Sequence, residues 1–213
     1  MQRSDGIYSE LGKTRISITT KILSLFNKQW SVLDVATGHG KFAITARDLG
    51  FNVTAVDVRN DRVPINTPGI NWEICNILDF NTDPYELILC FGILYHFNNP
   101  QKLIDKLKHS PTIYDTHYAL EEEVEHLGMK GKFYKESKNI TTSSFDDDVS
   151  FWPTKEELIK LFQSNYNIVG EVKQYMNNRS FFICIPWTLL KTGLVRIYRI
   201  GKKFFVVDLM TKK

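Results

Sequence analysis

The chain has 213 residues, a length that suits one domain with short additions at about 100–200 residues per domain. Hydrophobic residues make up 43% and charged residues 24%, which excludes an intrinsically disordered chain, a collagen and a coiled coil. The formal net charge is +3, but residues 187–213 contain seven basic residues and one acidic residue. That segment could contact phosphate groups or an anionic membrane, or could be an amphipathic element with solvated lysines.

The N-terminal part predicts an arm followed by a helix. Residues 1–13 are polar and contain glycine, so we expect an arm or lid there. Apolar residues recur at partly helical spacing from Thr14 to Phe26, which predicts a helix. There is no apolar core of a signal peptide and no run of about 18 uncharged apolar residues, so we expect a cytoplasmic protein without a transmembrane segment.

Strands and helices then alternate along the chain. Strands are predicted at Ser31–Val35, Asn52–Val56, Trp72–Cys75, Leu87–Phe91 and Thr112–Tyr114, with helices at Phe42–Leu49 and around Leu103–Leu107. This order is typical of βαβ units and a parallel sheet.

The alternation stops at residues 116–150, an insertion of a length that is usually functional or mobile, and we predict a substrate lid there. After it, Thr154 is the predicted N-cap of a helix, with Glu157 as its capping-box partner. Two strand-like runs, Ile168–Tyr175 and Ser180–Ile185, predict a hairpin. The predicted fold class is therefore α/β, a Rossmann-like doubly wound sheet that is mostly parallel with an antiparallel C-terminal hairpin. The predicted parts are an N-terminal arm and helix (1–30), one domain (31–186) and a basic C-terminal extension (187–213).

A turn rich in small residues follows the first strand. Gly38 and Gly40 have no side chains to hold a ligand away from the backbone. The turn lies at the carboxyl end of a strand, where open α/β sheets bind ligands. Asp57 closes the second strand, 23 residues after Asp34, and is placed to accept both hydroxyls of a ribose. Together these residues predict a cofactor that contains a nucleoside.

The residues of the turn reduce the number of possible cofactors. A dinucleotide fingerprint needs glycine or alanine where this chain has Lys41, and there is no Walker loop. Asp34 argues against a polyanion and suits a ligand with an ammonium group, held directly or through water. S-adenosylmethionine has such a group, together with a ribose and an adenine.

Residues 31–186 resemble class I S-adenosylmethionine-dependent methyltransferases. In the first motif, Asp34 follows a hydrophobic strand, and Ala36, Gly38 and Gly40 stand at the glycine positions; Asp57 matches the second motif. The resemblance implies the class I methyltransferase fold and S-adenosylmethionine as cofactor, with S-adenosylhomocysteine as product. The predicted cofactor-binding residues are Asp34, Ala36, Gly38, Gly40, Asp57, Val58, Asn76, Ile77 and Phe91.

Two further segments support that resemblance. Asn76 stands where the family has an acid that takes the adenine amino group, and Ile77 would stack on the adenine. The segment 89–96 resembles the family's fourth-strand segment, and its Leu-Tyr-His ending is similar to that of the tRNA wobble-uridine carboxymethyltransferases.

Methyl transfer from a sulfonium is an in-line displacement in which alignment and exclusion of water supply much of the rate. A base is needed only when the acceptor keeps its proton, and the candidates are His117, Asp115 and His96. Each could instead be a structural hydrogen-bonding group. The predicted substrate residues are Tyr95, Tyr134, Glu136 and Trp152, although Trp152 could instead staple the following helix to the core; no metal site is predicted.

Three functions remain open at this point. The first is methyl transfer to a hydroxyl or other nucleophile of a small molecule or glycan. The second is an RNA- or tRNA-modifying transferase, which the basic C-terminal extension favours and the net acidic remainder of the chain disfavours. The third is a non-catalytic cofactor-binding protein or a nicotinamide enzyme. The identity of the acceptor and the oligomeric state remain open.

Overall fold

A computed structural model describes residues 10–136, 148–173, 177–191, 195–200 and 204–209. The strands are β1 (Ser31–Val35), β2 (Asn52–Asp57), β3 (Ile70–Ile74), β4 (Leu87–Phe91), β5 (Thr112–His117), β6 (Val124–His126), β7 (Met129–Lys135), β8 (Val149–Pro153), β9 (Tyr166–Lys173), β10 (Arg179–Pro186), β11 (Val195–Ile200) and β12 (Phe204–Leu209). The helices are α1 (Glu10–Leu23), α2 (Lys41–Asp48), α3 (Pro100–Leu107), α4 (Lys155–Gln163) and α5 (Trp187–Lys191), with a 3₁₀ turn at Leu94–His96.

Seven strands form the main sheet in the order β3-β2-β1-β4-β5-β10-β9. β1 to β5 pair in parallel, whereas β10 is antiparallel to both β5 and β9. The predicted α/β fold, mostly parallel with an antiparallel C-terminal hairpin, is therefore confirmed. Strand order reverses between β1 and β4, and such a reversal leaves a crevice at the carboxyl ends of the strands.

Helices cover both faces of the main sheet. Ile22 of α1 and Phe42 of α2 belong to the hydrophobic core on one face. Leu103 of α3 and Phe162 of α4 belong to the core on the other face. Every residue of β4 is buried, as expected for a strand that lies between two helical layers. This burial explains why the central strands were recognisable as short apolar runs.

The insertion differs most from the expectation. Its described part contains β6, β7 and the start of β8, which form a three-stranded antiparallel sheet in the order β6-β7-β8. The more buried face of β7 changes along the strand, from Met129 and Gly131 at its start to Lys132 and Tyr134 at its end. Its lysines and glycine made the strand hard to recognise. Residues 137–147 of the predicted lid lie outside the described residues.

The ends of the chain also differ in detail. Helix α1 begins at Glu10, so residues 10–13 of the predicted arm are helical, and residues 1–9 lie outside the described part. Thr154 caps α4 as predicted, because its side chain accepts a hydrogen bond from the Glu157 N–H at 3.3 Å. The C-terminal extension contains α5 and an antiparallel pair, β11 and β12. Among the helices that the structure describes, none is long and apolar enough to cross a membrane.

Both the backbone conformation at position 40 and the packing around it require a glycine. It precedes α2 with a φ of 70°, in the left-handed region. A Cβ at this position would lie 2.6 Å from Trp72 Cη2 and 2.9 Å from Pro64 Cγ. Trp72 and Pro64 therefore pack directly on the turn. The absence of a side chain at Gly40 allows this packing, and contact of Gly40 with a cofactor stays a prediction.

Gly40→Ala and Gly50→Ala form a matched pair, because Gly50 also has a positive φ of 92° but has no atom within 4 Å of its would-be Cβ. We expect Gly50→Ala to lower the free energy of unfolding by about 1 kcal/mol through backbone strain. Gly40→Ala also overpacks the core, so it should lower the free energy of unfolding by about 1–3 kcal/mol more than Gly50→Ala does. Urea unfolding of both variants measures the difference, and equal losses would contradict the packing role.

Candidate functional site

The turn at residues 36–40 lies between the carboxyl ends of β2 and β4. Ala36 and Gly38 have φ values of 53° and 56°, both left-handed. The neighbouring strand fixes the turn, because the Thr37 N–H donates to the Val56 carbonyl at 3.0 Å and the Gly38 N–H donates to Asp57 Oδ2 at 2.8 Å. Alanine in this region costs about 1–2 kcal/mol, so position 36 tolerates a strain that glycine would avoid.

Asp34 supports the turn from below. Its Oδ2 accepts hydrogen bonds from the Thr37 hydroxyl at 2.6 Å and the Ala43 N–H at 3.1 Å. Gly40 gives α2 no side-chain cap, so Asp34 satisfies one of the N–H groups at the start of that helix. Burial raises the pKa of Asp34 to about 7, against the opposing effect of these hydrogen bonds. The side chain is 1% exposed, which does not support the predicted contact with a ligand's ammonium group.

Asp57 lies beside the turn and is paired with an arginine that the sequence analysis missed. Its Oδ1 accepts the Arg59 N–H at 2.8 Å. Arg62 Nη2 donates to both carboxylate oxygens, at 3.0 and 3.2 Å. The Arg62 guanidinium also lies 3.9 Å from the position of a Cβ on Gly38. Arg62 therefore covers both the carboxylate and the open side of the turn, and a ribose can reach Asp57 only after Arg62 moves.

Val58 and Asn76 follow the ends of β2 and β3. Val58 is half-buried directly after Asp57. Asn76 is also half-buried, and its Oδ1 accepts the Leu78 N–H at 3.0 Å. That bond closes an Asx turn, which gives Asn76 a structural role as well. Contact of either residue with a cofactor stays a prediction.

Ile77 and Phe91 are each 5% exposed. Ile77 belongs to the core on the α3–α4 face of the sheet. Phe91 packs edge-to-face between Phe42 and Phe181, with ring centroids 4.9 and 5.3 Å away. Because both side chains are part of the core, the predicted contacts with a cofactor would be made mainly by the backbone at these positions.

Asp115 is bound by two arginines, which contradicts its prediction as a base. Arg179 donates to Oδ1 and Oδ2 at 2.8 and 2.9 Å, and Arg15 Nε donates to Oδ2 at 2.7 Å. Burial alone would raise the pKa of Asp115, but the charges of Arg179 and Arg15 outweigh it and lower the pKa to about 2. A carboxylate that binds protons so weakly and is fully buried is a poor acceptor for a substrate's proton.

His117 is also a poor base in this arrangement. Arg179 Nη1 lies 2.9 Å from His117 Nε2, and because a guanidinium can only donate, this nitrogen's lone pair is occupied. Burial and the Arg179 charge lower the pKa of His117 to about 4. The predicted role of His117 as a base is therefore corrected; its ring is a neutral, stacked group.

His96 retains the geometry of a general base. Its Nδ1 lies 2.8 Å from Glu136 Oε1, which fixes the ring and places the proton on Nδ1. Its Nε2 makes no hydrogen bond to a residue that the structure describes. Glu136 itself is positioned by its N–H, which donates to the Asp148 carbonyl at 2.9 Å. Both residues were predicted from the sequence, His96 as a base and Glu136 as a substrate residue, but their pairing was not.

The predicted substrate aromatics come together beside His117. Trp152 stacks on Tyr134 at 3.9 Å on one side and on His117 at 4.8 Å on the other. Tyr95 meets His117 edge-on at 4.8 Å and Trp152 at 5.4 Å. We call Tyr95, His117, Tyr134 and Trp152 the aromatic stack. Its members cover one another's faces, so an acceptor would contact its rim rather than enter between its rings.

Metal ligands do not cluster in this region. Within the described ranges, no three His, Cys, Asp or Glu side chains are arranged to hold a metal ion.

Comparisons with known proteins agree with this architecture. A family model described as a methyltransferase domain matches residues 11–131. A ubiquinone biosynthesis O-methyltransferase of Rickettsia akari (strain Hartford) is 29% identical in an alignment of 111 positions, which covers 46% of this chain and 44% of the relative. The chain thus spans less than half the length of this curated relative.

Two solved structures share the fold. The N-terminal domain of EvdMO1 with SAH bound has a TM-score of 0.65 and 13% identity, and the match covers 84% of each chain. The 1,6-didemethyltoxoflavin-N1-methyltransferase of Burkholderia thailandensis has a TM-score of 0.63 and 14% identity, over 80% of this chain and 77% of that one.

The buried Asp34 predicts a pH-dependent stability. Its folded-state pKa of about 7 exceeds the ordinary value of 3.8, so folding binds a proton between these values and stability falls as pH rises through them. Asp34→Asn keeps an acceptor oxygen and cannot ionise. We expect the free energy of unfolding of this variant, measured relative to wild type, to rise by on the order of 2–3 kcal/mol from pH 5 to pH 8.

Urea unfolding at the two pH values tests this expectation, with Asp83→Asn as the control because Asp83 is exposed. If Asp34→Asn and wild type kept the same difference in unfolding free energy at both pH values, Asp34 would be ionised in the folded state throughout this range.

Proposed function

The chain belongs to the methyltransferase-domain family, and we propose that it transfers a methyl group from S-adenosylmethionine to a nucleophile on a small molecule. The observation that supports this most directly is the placement of Asp57 beside the open turn at Gly38. A carboxylate there suits the two hydroxyls of a ribose, and the bare backbone at Gly38 admits a ligand closely. The chemistry of this donor set therefore fits an adenosyl cofactor.

In the proposed complex, Asp57 binds the ribose after Arg62 has turned away. The turn backbone borders the cofactor's methionine end, and Asn76 would contact its adenine. When bound, the cofactor supplies a methyl group on a sulfonium, which is already activated for in-line displacement. The protein then has to align the acceptor and exclude water.

His96 is the proposed general base for a hydroxyl acceptor. Its Nε2 would take the hydroxyl proton, while Glu136 holds the Nδ1 proton and stabilises the charged ring. Asp115 and His117 cannot substitute for it, because their acceptor atoms are bound by arginines. This orientation of a base argues for an enzyme over a non-catalytic binding protein.

A small aromatic acceptor suits the surroundings of His96. The aromatic stack lies next to this residue, with Tyr95 and His96 ring centroids 4.4 Å apart. The Rickettsia relative is named for O-methylation in ubiquinone biosynthesis, and the Burkholderia neighbour was solved with 1,6-didemethyltoxoflavin. Glycan and RNA acceptors are the alternatives from the sequence. If the affinity for RNA did not change with salt concentration, RNA would be excluded as the acceptor.

The proposed activity is tested in two steps. Calorimetry should show binding of S-adenosylmethionine and no binding of NAD. Labelled methyl groups from S-adenosylmethionine should then appear in fractionated metabolites, with glycans and RNA as parallel arms. Absence of cofactor binding would refute the proposal, and label in RNA or glycans would replace the small-molecule acceptor.

Arg62 and Asp57 should have opposite effects on cofactor affinity. Asp57→Ala removes charge-assisted hydrogen bonds to the ribose and should weaken S-adenosylhomocysteine binding about tenfold or more. Arg62→Ala removes the competing partner of Asp57 and should strengthen binding by up to about fivefold, the equivalent of a part-buried ion pair.

The control is Arg59→Ala, because the Arg59 side chain pairs with Asp61 at 3.3 Å and not with Asp57. Calorimetry measures all three variants. Weaker binding by Arg62→Ala would show that Arg62 holds the cofactor rather than competing with it.

His96→Ala should lower kcat by about 10²–10⁴, because a positioned base contributes on this scale, with S-adenosylhomocysteine affinity unchanged. Glu136→Gln should also lower kcat, but by a smaller factor, because the His96 ring stays in place. Initial rates and calorimetry check this, with His109→Ala as the exposed-histidine control. An unchanged kcat for His96→Ala would remove His96 as the base.

A further inference from the structure

Arg179 connects the carboxylate of Asp115 to the aromatic stack. It lies on β10 opposite His117 of β5, and its side chain is 5% exposed. Its Nε and Nη2 donate to the Asp115 carboxylate at 2.8 and 2.9 Å, and its Nη1 donates to His117 Nε2 at 2.9 Å. The guanidinium carbon also lies 5.4 Å from the centroid of the Tyr95 ring. The pairing with Asp115 therefore fixes a guanidinium that contacts two members of the stack.

The aromatic stack joins the main sheet to the three-stranded sheet. His117 ends β5 of the main sheet, whereas Tyr134 lies on β7 and Trp152 on β8. His117 stacks on Trp152 at 4.8 Å with 17° between the ring planes, and Trp152 stacks on Tyr134 at 3.9 Å. Backbone hydrogen bonds also fix β8, at Phe151 and Pro153. Tyr134 extends the connection to β7, so the stack supports that strand as well.

Both members of the His96–Glu136 hydrogen bond lie next to the stack along the chain. Tyr95 directly precedes His96 in the 3₁₀ turn, and their ring centroids are 4.4 Å apart. Glu136 follows Tyr134 by two residues, directly after β7. The 2.8 Å distance from His96 Nδ1 to Glu136 Oε1 therefore depends on how the three-stranded sheet lies against the 3₁₀ turn. A misplacement of about 1 Å can cost a reaction about 10²-fold in rate.

We propose that Arg179 is a positioning residue for methyl transfer: by fixing the aromatic stack, it holds Glu136 against His96. This inference rests on the proposed function, because His96 is the general base proposed there. It predicts that a change at Arg179 affects the reaction through His96, whereas the effect of a purely structural residue would not depend on His96.

Arg179→Lys and Arg15→Lys form a matched pair, because both arginines bind the carboxylate of Asp115. Each variant keeps a cation there, but a lysine has a single nitrogen and cannot also take the position of Arg179 Nη1 beside His117. Arg179→Lys should lower kcat about 10–100-fold, with S-adenosylhomocysteine affinity unchanged. Arg15→Lys should change kcat less than about threefold, because the contact with His117 remains. Initial rates and calorimetry measure both variants.

His117→Phe is the second variant, for the case that Arg179→Lys does not fold. It leaves the Asp115–Arg179 pair intact, keeps a ring beside Trp152 and removes the acceptor for Arg179 Nη1. It should lower kcat about tenfold. A kcat equal to that of wild type in either folded variant would contradict the positioning role.

A double-mutant cycle with His96→Ala separates positioning from a general loss of structure. Effects of residues that act as a unit do not multiply, whereas independent effects do. In the His96→Ala background, Arg179→Lys should therefore change kcat by less than about twofold. Losses in kcat that multiply would show that Arg179 acts independently of His96.

NMR of the imidazole N–H protons tests the same arrangement without methyl transfer. The His96 and Glu136 side chains are 17% and 9% exposed, so the Nδ1 proton between them should be protected from exchange with water and give a signal. The signal should be present in wild type and Arg15→Lys and lost in Arg179→Lys, with Glu136→Ala as the variant that assigns it. If wild type transferred no methyl group but the signal still depended on Arg179, the proposed function would fail and the placement of Glu136 by Arg179 would stand.

Two further results would overturn the inference. Equal losses of kcat in Arg179→Lys and Arg15→Lys would assign the effect to the pairing of Asp115 rather than to the aromatic stack. A His96 Nδ1 proton signal that is unchanged in folded Arg179→Lys would show that Glu136 is held in place without this arginine.

Discussion

Two carboxylates at the ends of neighbouring strands hold the turn on which the candidate site depends. Asp34 lies beneath it and joins the end of β1 to the first turn of α2. Asp57 reaches across from β2 and fixes the Gly38 N–H. The backbone between them is left-handed at every second residue, Ala36, Gly38 and Gly40, and of these only the alanine is strained. These contacts, and not the glycines alone, keep the backbone of Gly38 accessible beside the Asp57 carboxylate.

Features encoded by neighbouring residues could be predicted from the sequence. The alternation of strands and helices, the turn after β1 and the Thr154 cap depend on spacing within a few residues, and the structure agrees with them. The side-chain pairs at the site could not be predicted in this way. Arg15 and Asp115 are 100 residues apart and His96 and Glu136 are 40 apart, so only the folded topology brings them together. The small sheet was missed because charged and glycine residues obscure its strands.

Residue type alone did not separate the three candidate bases. His96 and His117 have the same side chain, and Asp115 is also a titratable group at a strand end. Arg179 explains the difference, because it binds both Asp115 and His117 and its charge lowers the pKa of each. The same arginine thus suppresses two groups and concentrates positive charge near Gly92. Mechanistic roles in this site follow from which side chains the arginines contact.

The His96–Glu136 hydrogen bond joins two parts of the protein that have different supports. His96 lies in the 3₁₀ turn after β4, a central strand of the large sheet, whereas Glu136 directly follows β7 of the three-stranded sheet, where its N–H donates to the Asp148 carbonyl. The contacts that shape the turn at Gly38 come from the large sheet, α2 and the loop between β2 and β3. Partial opening of the small sheet would therefore separate His96 from Glu136 without disturbing the turn at Gly38. A local opening of this kind needs less free energy than unfolding of the whole domain. The His96–Glu136 pair therefore has a stability of its own, lower than that of the domain.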